Sequence, residues 1–185
     1  RRGGNWADYA VVPSAEVIPI SSGLSIEQAA TFFVNPATAW VMTREALKVP
    51  PGQWLVQTAA GSALGRMIIR LGKETGFRTF NIIRRGDQAE ELQRMGADHV
   101  EVFDEAKDTA ESLGASIRKT IGITGAGAGY AIDAVGGATG SAVIQSLGHQ
   151  GRLLAYGTLS NAPLAFSPRV LMTTGSTVAG FWLGS

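Results

Sequence analysis

The sequence predicts an α/β fold: a doubly wound, parallel, six-stranded Rossmann sheet, preceded by a short β-rich segment. From Trp54 onward, strand-like segments alternate with helical patterns, the order typical of a parallel sheet with helices on both faces. Segments such as "FNII" and "RLLAY" are nearly continuous apolar runs, as expected of strands that are buried on both sides. Hydrophobic residues make up 45% of the chain and charged residues 17%, a globular composition.

The first fifty residues contain a β-rich segment followed by two helical ones. Residues 1–20 carry short alternating runs, "WADYAVVP" and "AEVIPI", which predict strands. Ser25 and Gln28 have capping-box spacing and predict the start of a helix. Pro36 and Thr38 precede a second helical stretch, and "VPPGQ" then predicts a turn.

The first strand–helix–strand unit follows this turn. "WLVQ" is an apolar strand, and apolar residues at helical spacing predict a helix over 63–75, with Gly76 as its stop. "RTFNII" is the second strand. Asp87 and Glu90 then have the spacing of a capping box for the next helix.

The remaining elements continue the alternation. "HVEVF" is the third strand, followed by a helix over about 105–121. "YAIDAV" is the fourth strand, followed by a helix to about Leu147. "RLLAYG" is the fifth strand and "TVAGFW" the sixth, with a short helical piece near 169–173 between them.

Composition argues against several classes of function. A net charge of +1 gives no basic surface for nucleic acid, and the apolar runs are too short to span a membrane. There is no cysteine, which excludes disulfides and Cys-based zinc sites within this chain. His99 and His149 lie 50 positions apart without a second ligand pattern, so no metal site is expected. We expect a cytoplasmic protein.

The turn after the first strand is a candidate phosphate-binding loop. Where G-x-G-x-x-G would stand, the chain reads "AGSALG", with glycine only at Gly61 and Gly65. Backbone N–H groups and the dipole at the start of the following helix attract a pyrophosphate, and the Ser62 hydroxyl could add a donor. The alternative is a plain strand-to-helix turn, and the motif by itself does not decide between the two.

The end of the second strand bears on the choice of cofactor. NAD sites usually place an acidic residue there, about 20 residues after the glycine turn, to bind the ribose hydroxyls. Here Arg84 and Arg85 stand in that place, and guanidinium groups match phosphate oxygens. The arginines therefore favour a 2′-phosphate and hence NADP. The alternative is a solvated charge pair at a strand end.

Other candidate residues have structural alternatives. Asp133 lies in an apolar strand and is expected to form a structural hydrogen bond. Tyr156, Phe181 and Trp182 lie at carboxyl ends of strands, where a cofactor would bind, but equally suit a core. The stretch "GAGAG" precedes a strand instead of opening a helix, so we interpret it as a connection.

Taken in order, these segments resemble the medium-chain dehydrogenase/reductase superfamily. The similarity is strongest to its zinc-independent NADPH branches, the quinone oxidoreductases and the mitochondrial-type trans-2-enoyl-thioester reductases. It rests on "WADYAVVP", "EQAATFFVNPATAW", "PPGQWLVQTAAGSALG", "FRTFNIIRR", "AIDAVGG", "GRLLAYGTLS" and "GFWLGS", which together run over almost the whole chain.

The resemblance implies a cofactor-binding role for a set of residues. Near the nicotinamide it places Asn35 and Thr38. The pyrophosphate, the 2′-phosphate and the remaining cleft would be contacted by Gly61, Ser62, Ala63, Leu64, Arg84, Arg85, Tyr156, Gly157, Thr158, Leu159, Phe181, Trp182 and Leu183.

The resemblance also implies what this chain lacks. Asn35 stands where zinc-dependent relatives carry a Cys ligand, which argues against catalytic zinc. Residues 1–30 would be the end of a GroES-like catalytic domain, and 31–185 the dinucleotide-binding domain. The enoyl reductase branch uses an upstream Tyr as proton donor. No residue here matches it, Tyr9 included, so the catalytic residue stays unknown and the chain alone is expected to be inactive.

These observations lead to one functional hypothesis and several alternatives. The chain would be the NADPH-binding portion of an oxidoreductase that transfers hydride to a quinone or an activated C=C substrate. The alternatives are a non-enzymatic nucleotide-binding module, an alcohol dehydrogenase relative that has lost its metal site, and an S-adenosylmethionine-dependent methyltransferase, against which the arginines speak. The substrate would be a small molecule, with no nucleic acid or membrane partner, and the apolar last strand suggests a homodimer.

Overall fold

The structure is a computed structural model that describes residues 6–122 and 127–184. The chain divides into two compact units, residues 1–33 and 34–185. Among the described helices, none combines the length and the apolar character needed to cross a bilayer.

The second unit is built on a six-stranded parallel sheet. Its strands are β1 (Trp54–Gln57), β2 (Arg78–Ile83), β3 (His99–Val102), β4 (Ala128–Asp133), β5 (Leu147–Ala155) and β6 (Thr177–Gly180). All five pairings are parallel, in the order β3-β2-β1-β4-β5-β6. The predicted doubly wound Rossmann sheet is therefore confirmed, and its strand order reverses between β1 and β4.

Seven α-helices are described. They are α1 (Ile26–Phe32), α2 (Val34–Trp40), α3 (Ala63–Thr75), α4 (Ala89–Arg94), α5 (Ala110–Ile121), α6 (Gly137–Gln145) and α7 (Pro168–Thr174). The helix α2 runs on into a π-helical segment, Val41–Ala46. The predicted bounds of α3 and its left-handed stop at Gly76 are confirmed, as is the capping box at Ser25 and Gln28.

The sheet has a hydrophobic core on each face. On one face, helices α5 and α6 bring Leu113, Ile117 and Val143 against strand residues such as Phe80. On the other, α2, the π segment and α3 pack on the sheet through residues such as Ile68. Burial on both faces explains why the strands read as apolar runs rather than as alternating patterns.

A buried carboxylate joins β1 and β4 where the strand order reverses. Asp133 is fully buried; its Oδ1 accepts from the Thr58 hydroxyl at 2.7 Å and from the Val135 N–H at 3.0 Å. Its Oδ2 accepts from the Gly136 N–H at 3.0 Å, and the Thr58 hydroxyl oxygen accepts from the Ala134 N–H at 2.9 Å. The structural role predicted for Asp133 is confirmed.

The prediction of a β-rich start to the chain is wrong for residues 6–20. Between residues 6 and 20 the structure contains a 3₁₀ turn, Ser14–Glu16, and no strand. A strand needs a neighbour to accept its backbone hydrogen bonds, and the described part of the chain pairs no segment with this one. Its apolar side chains, such as those of Trp6 and Tyr9, are exposed.

Three helix starts also differ from the prediction. Asp87 and Glu90 form no capping box, because a 3₁₀ turn, Gly86–Gln88, precedes α4 and the helix has no side-chain cap. The helix predicted from about 105 begins at Ala110, with the Thr109 side chain as its cap. Pro36 lies inside the first turn of α2, where a missing N–H costs no helical hydrogen bond.

Two boundaries near β4 and β5 shift as well. Leu147 begins β5 instead of ending α6, because it pairs with Ala128 at the start of β4. The "GAGAG" stretch lies partly outside the described residues, and its last two residues, Ala128 and Gly129, are not part of a connection but begin β4.

Helix α3 approaches the turn after β1 very closely at Gly65. A Cβ atom on Gly65 would lie 2.5 Å from the Ala60 carbonyl oxygen and 2.6 Å from its Cα. A Cβ atom cannot approach backbone atoms this closely, so only glycine at residue 65 lets the helix start here. This is the close helix–strand packing that the third glycine of the fingerprint provides.

We expect Gly65→Ala to reduce the free energy of unfolding by at least about 2 kcal/mol, because turn and helix must move apart. Urea denaturation followed by circular dichroism measures this loss. The matched control is Gly129→Ala, whose added Cβ would meet no atom within 4 Å. Equal midpoints for the two variants would contradict the packing role.

Candidate functional site

The turn between β1 and α3 is shaped by its own hydrogen bonds. Ala59 has a φ of 51°, in the left-handed region that glycine normally fills. Its carbonyl accepts from the Ser62 N–H at 2.9 Å, while the Ala60 N–H donates to Ile82 on β2 at 3.1 Å. Ala60 and Ser62 stand at the first two glycine places, and neither has a positive φ, so the backbone tolerates the loss of both glycines; the left-handed residue is Ala59, one position before them.

Ser62 caps helix α3. Its hydroxyl oxygen accepts from the Gly65 N–H at 3.1 Å. A hydroxyl that accepts one bond still carries a proton to donate, so the predicted donor function remains open to it. The first N–H groups of α3, at Ala63 and Leu64, have no intrahelical acceptor and are directed toward the helix start.

Arg66 braces the turn from outside. Its Nε donates to the Gly61 carbonyl at 3.0 Å, and its guanidinium forms a two-pronged pair with the Glu91 carboxylate on α4, one prong at 2.8 Å. Hydrogen bonding to Arg66 lowers the pKa of Glu91. The bond from Arg66 to the Gly61 carbonyl fixes the orientation of that peptide group, and so helps to hold the candidate phosphate-binding turn in shape.

The cavity with most of the predicted cofactor residues, called the main cavity for that reason, lies at the carboxyl edge of the sheet and has a volume of about 460 Å³. It contains most of the predicted cofactor residues: Asn35, Thr38, Ser62, Ala63, Leu64, Tyr156, Gly157, Thr158, Leu159, Phe181, Trp182 and Leu183. Val34, Ala59 and Ala134 also line it and were not predicted. The π segment, Val41–Ala46, contributes no residue to the lining of this cavity.

Tyr156 contributes its ring to this cavity and to the adjoining core. Its hydroxyl is buried and finds no hydrogen-bond partner among the described residues. Burial raises the pKa of Tyr156, and the negative charge of Asp133 raises it further. The phenol therefore stays protonated at neutral pH and is a weak acid.

A smaller cavity, of about 240 Å³, contains the other three predicted residues: Gly61, Arg84 and Arg85. Ala59, Ser62, Ile83 and Gln88 complete its wall. Arg85 lies 3.8 Å from Asp87, a loose pair between two exposed side chains that leaves the guanidinium accessible. The structure thus brings the arginines to the glycine turn, as the sequence predicted.

A further cavity, of about 620 Å³, lies between the ends of β2 and β4 and was missed by sequence reasoning. Arg84, Phe103, Thr139 and Leu159 are among its lining residues. The available signal was topological: Phe103 directly follows β3, whose carboxyl end must lie beside that of β2.

Glu105, on the wall of this cavity, occupies the start of helix α6. One carboxylate oxygen accepts from the Thr139 N–H at 2.9 Å and from its hydroxyl at 2.6 Å. Negative charge at a helix N-terminus is stabilising, so this exposed carboxylate serves as a cap supplied by a distant loop.

The cavities share walls and form one groove around the turn. Ala59 lines all of them, Leu159 joins the main cavity to the one beside β4, and Arg84 joins the latter to the arginine cavity. No cluster of His, Asp and Glu that could hold a metal ion occurs within residues 6–122 and 127–184.

A family model described as "Zinc-binding dehydrogenase" matches residues 63–185. The chain belongs to this family. The predicted medium-chain dehydrogenase/reductase superfamily is thereby confirmed, together with its zinc-independent enoyl and quinone reductase-like branch, to which the relatives below belong. The family's name notwithstanding, Asn35 stands where a cysteine ligand was expected of zinc-dependent members.

The curated relatives of this chain include mitochondrial enoyl-[acyl-carrier-protein] reductases. Reductase 2 of Candida tropicalis is 31% identical over 188 residues, covering 97% of this chain and 48% of that protein. The Caenorhabditis elegans enzyme is 28% identical over 183 residues, covering 97% and 51%. The chain spans about half the length of the curated relatives it matches.

Solved structures give the same picture. A candidate NADPH:quinone reductase from Mesorhizobium loti is 32% identical, with a TM-score of 0.84 over 98% of this chain and 51% of that one. A mutant enoyl thioester reductase from Candida tropicalis is 32% identical, with a TM-score of 0.75 over 87% and 45%. The Etr1p complex with NADP and crotonyl-CoA is also 32% identical, with a TM-score of 0.76 over 87% and 45%.

We expect Arg66→Ala to lower the melting temperature more than Arg70→Ala, because Arg70 is exposed on the same helix and forms no such contact with any described residue. Since the pKa of Glu91 is lowered in the folded state, the contribution of the pair is present at neutral pH. It is lost as the pH falls below the ordinary pKa of a Glu carboxyl, about 4.3, and on through the lowered pKa of Glu91. Thermal melts at pH 7 and pH 3 measure both effects.

Glu91→Gln is the companion variant. It keeps the shape of the side chain but cannot lose a charge, so its deficit relative to the unaltered chain should also vanish at pH 3. A deficit of Arg66→Ala that is independent of pH would show that packing, and not the ion pair, explains it.

Proposed function

We propose that this chain is the NADPH-binding portion of a zinc-independent oxidoreductase that transfers hydride to a quinone or an activated C=C bond. The observation that carries this proposal is the position of Arg84 and Arg85, which share a cavity with the turn at Gly61 and Ser62. A dinucleotide with a 2′-phosphate needs positive charge close to the turn that binds its pyrophosphate. The NADP in the related Etr1p complex supports the same assignment.

The groove offers a compartment for each part of the cofactor. The pyrophosphate would lie on the first turn of α3, against Gly61, Ser62, Ala63 and Leu64. The adenine would fill the cavity at Phe103, and the 2′-phosphate the arginine cavity. The nicotinamide would occupy the main cavity, beside Asn35, Thr38, Tyr156 to Leu159 and Phe181 to Leu183.

The protein residues would bind and orient, while the bound cofactor supplies the hydride. The largely apolar main cavity excludes water from the reacting ring. Of the described residues that line it, Tyr156 alone has a titratable side chain, and its hydroxyl is buried with a raised pKa. Residues 1–30 would be one part of the catalytic domain. We therefore place the proton donor in another part of that domain, outside this chain.

The nature of the acceptor is drawn from the relatives. Their names divide between quinone reductases and enoyl thioester reductases, and the Etr1p complex contains crotonyl-CoA. Both acceptors take hydride at an electron-poor carbon skeleton, so one cofactor domain serves either. A location in the cytoplasm stays a prediction for this chain, whereas several relatives are named as mitochondrial proteins.

We expect the unaltered chain to bind NADPH more tightly than NADH, and the double variant Arg84→Ala, Arg85→Ala to lose that preference. The loss should be about 2–4 kcal/mol of binding free energy, because charge-assisted hydrogen bonds to the phosphate disappear. Isothermal titration calorimetry with both nucleotides measures it.

The double variant Arg78→Ala, Arg94→Ala is the control, because it removes the same number of positive charges. Arg78 packs over the Trp54 ring at the opposite end of β2, and Arg94 lies on the exposed face of α4. Equal affinity of the unaltered chain for NADPH and NADH would reject the 2′-phosphate assignment.

We also propose a homodimer formed through β6. This strand is at the edge of the sheet, and Ala179 and Gly180 are exposed on it. The Phe181 N–H donates to Ala155 on β5, so, by alternation, the N–H groups of Val178 and Gly180 face outward. An outward row of donors is a template for a second strand.

We expect light scattering to give a dimer mass for the unaltered chain and a monomer mass for Gly180→Pro, which removes an outward donor. Gly180→Ala, whose Cβ would meet no atom within 4 Å, should remain dimeric. A monomeric unaltered chain would refute the interface, as would a dimeric proline variant.

A further inference from the structure

Gln88 lies beside the arginine cavity without an evident structural task. It ends the 3₁₀ turn that follows Arg85 and precedes the first residue of α4. Its side chain does not cap α4, and it is half-buried against the glycine turn. A residue at this place in the chain usually caps the helix or points into solvent.

The Gln88 carboxamide lies directly over Gly61. A Cβ atom on Gly61 would be 2.9 Å from the Gln88 Cδ and closer still to its Oε1. The amide thus occupies the space that a side chain at residue 61 would take, so glycine at this position leaves room for Gln88 against the turn. The turn and the segment after β2 are joined by this contact.

The amide of Gln88 also faces a cavity that is rich in donors. Gln88 lines the arginine cavity together with Ser62, Arg84 and Arg85. Among the described residues, no hydrogen bond engages its side chain, so two N–H donors and one acceptor are available. The O and N atoms of an amide exchange places by a simple flip, so either can be presented to a ligand.

We propose that Gln88 is a further specificity-determining residue, a neutral third ligand of the 2′-phosphate beside Arg84 and Arg85. This rests on the proposed function and deepens it. An amide N–H donates to a phosphate oxygen, whereas a carboxylate in the same place would repel the phosphate and accept from ribose hydroxyls instead. An amide at residue 88 therefore adds a donor beside the two arginines without adding a negative charge that would repel the phosphate.

The test compares adenosine 2′,5′-bisphosphate with adenosine 5′-monophosphate, which differ only in the 2′-phosphate. Gln88→Glu should weaken binding of the bisphosphate by about a hundredfold and leave the monophosphate unchanged or tighter. Gln88→Ala should weaken the bisphosphate by about tenfold, the loss of one hydrogen bond to a charged group. Calorimetry measures each affinity.

Gln93→Glu is the matched control. It makes the same change of charge on an exposed position of α4, outside the residues that line the cavity, and should leave both affinities as they are. Thermal melts confirm that each variant is folded. Gln88→Ala, which removes the amide without adding charge, keeps the test valid if the glutamate variant does not fold.

The outcomes separate this inference from the function on which it rests. If the unaltered chain prefers the bisphosphate but Gln88→Glu and Gln88→Ala retain that preference in full, the role of Gln88 is overturned and the proposed cofactor stands. If the unaltered chain shows no preference between the two ligands, the 2′-phosphate site itself is overturned, and Gln88 with it.

Discussion

The bond between Thr58 and Asp133 is the interaction on which the site depends. It joins β1 to β4 at 2.7 Å, where the strand order reverses and the two connecting turns must diverge to opposite faces. The same carboxylate holds the N–H groups of Val135 and Gly136, so one buried charge shapes the turn after β4 and anchors the residue that precedes Ala59. The groove exists because these turns are kept apart, and a fully buried carboxylate with these partners has little freedom to move.

Around that fixed point the groove has two chemically distinct ends. The arginine cavity is polar and positively charged, whereas the main cavity is lined mostly by apolar and uncharged side chains. A ligand that is highly charged at one end and planar and weakly polar at the other fits this gradient. Gln88 lines the polar end and lies over Gly61, and Arg66, which is paired with Glu91 on α4, bonds the Gly61 carbonyl from helix α3.

The sequence predicted the sheet and helix α3 well because both are governed by local burial patterns. It failed where partners outside the local pattern decide. The alternating runs of residues 6–20 lacked a pairing strand, and Asp87 lost its capping role to a 3₁₀ turn. All of the predicted site residues line the groove, since strand ends in this topology converge at one edge. Gln88, Ala59 and Phe103 escaped notice because their place follows from tertiary contacts: a carboxamide over a glycine, a strained alanine, and a neighbouring strand end.

The carboxylate of Glu105 makes the two halves of the fold unequal. In a doubly wound sheet, β1 with α3 and β4 with α6 are equivalent units, each presenting a helix start at the carboxyl edge. In this chain the second start is already satisfied from within by Glu105, at 2.9 Å from the Thr139 nitrogen. An anionic ligand meets one receptive helix and one that carries its own negative charge. The pseudo-symmetry of the scaffold is thus broken, and a long ligand with unlike ends has a single direction in which to lie.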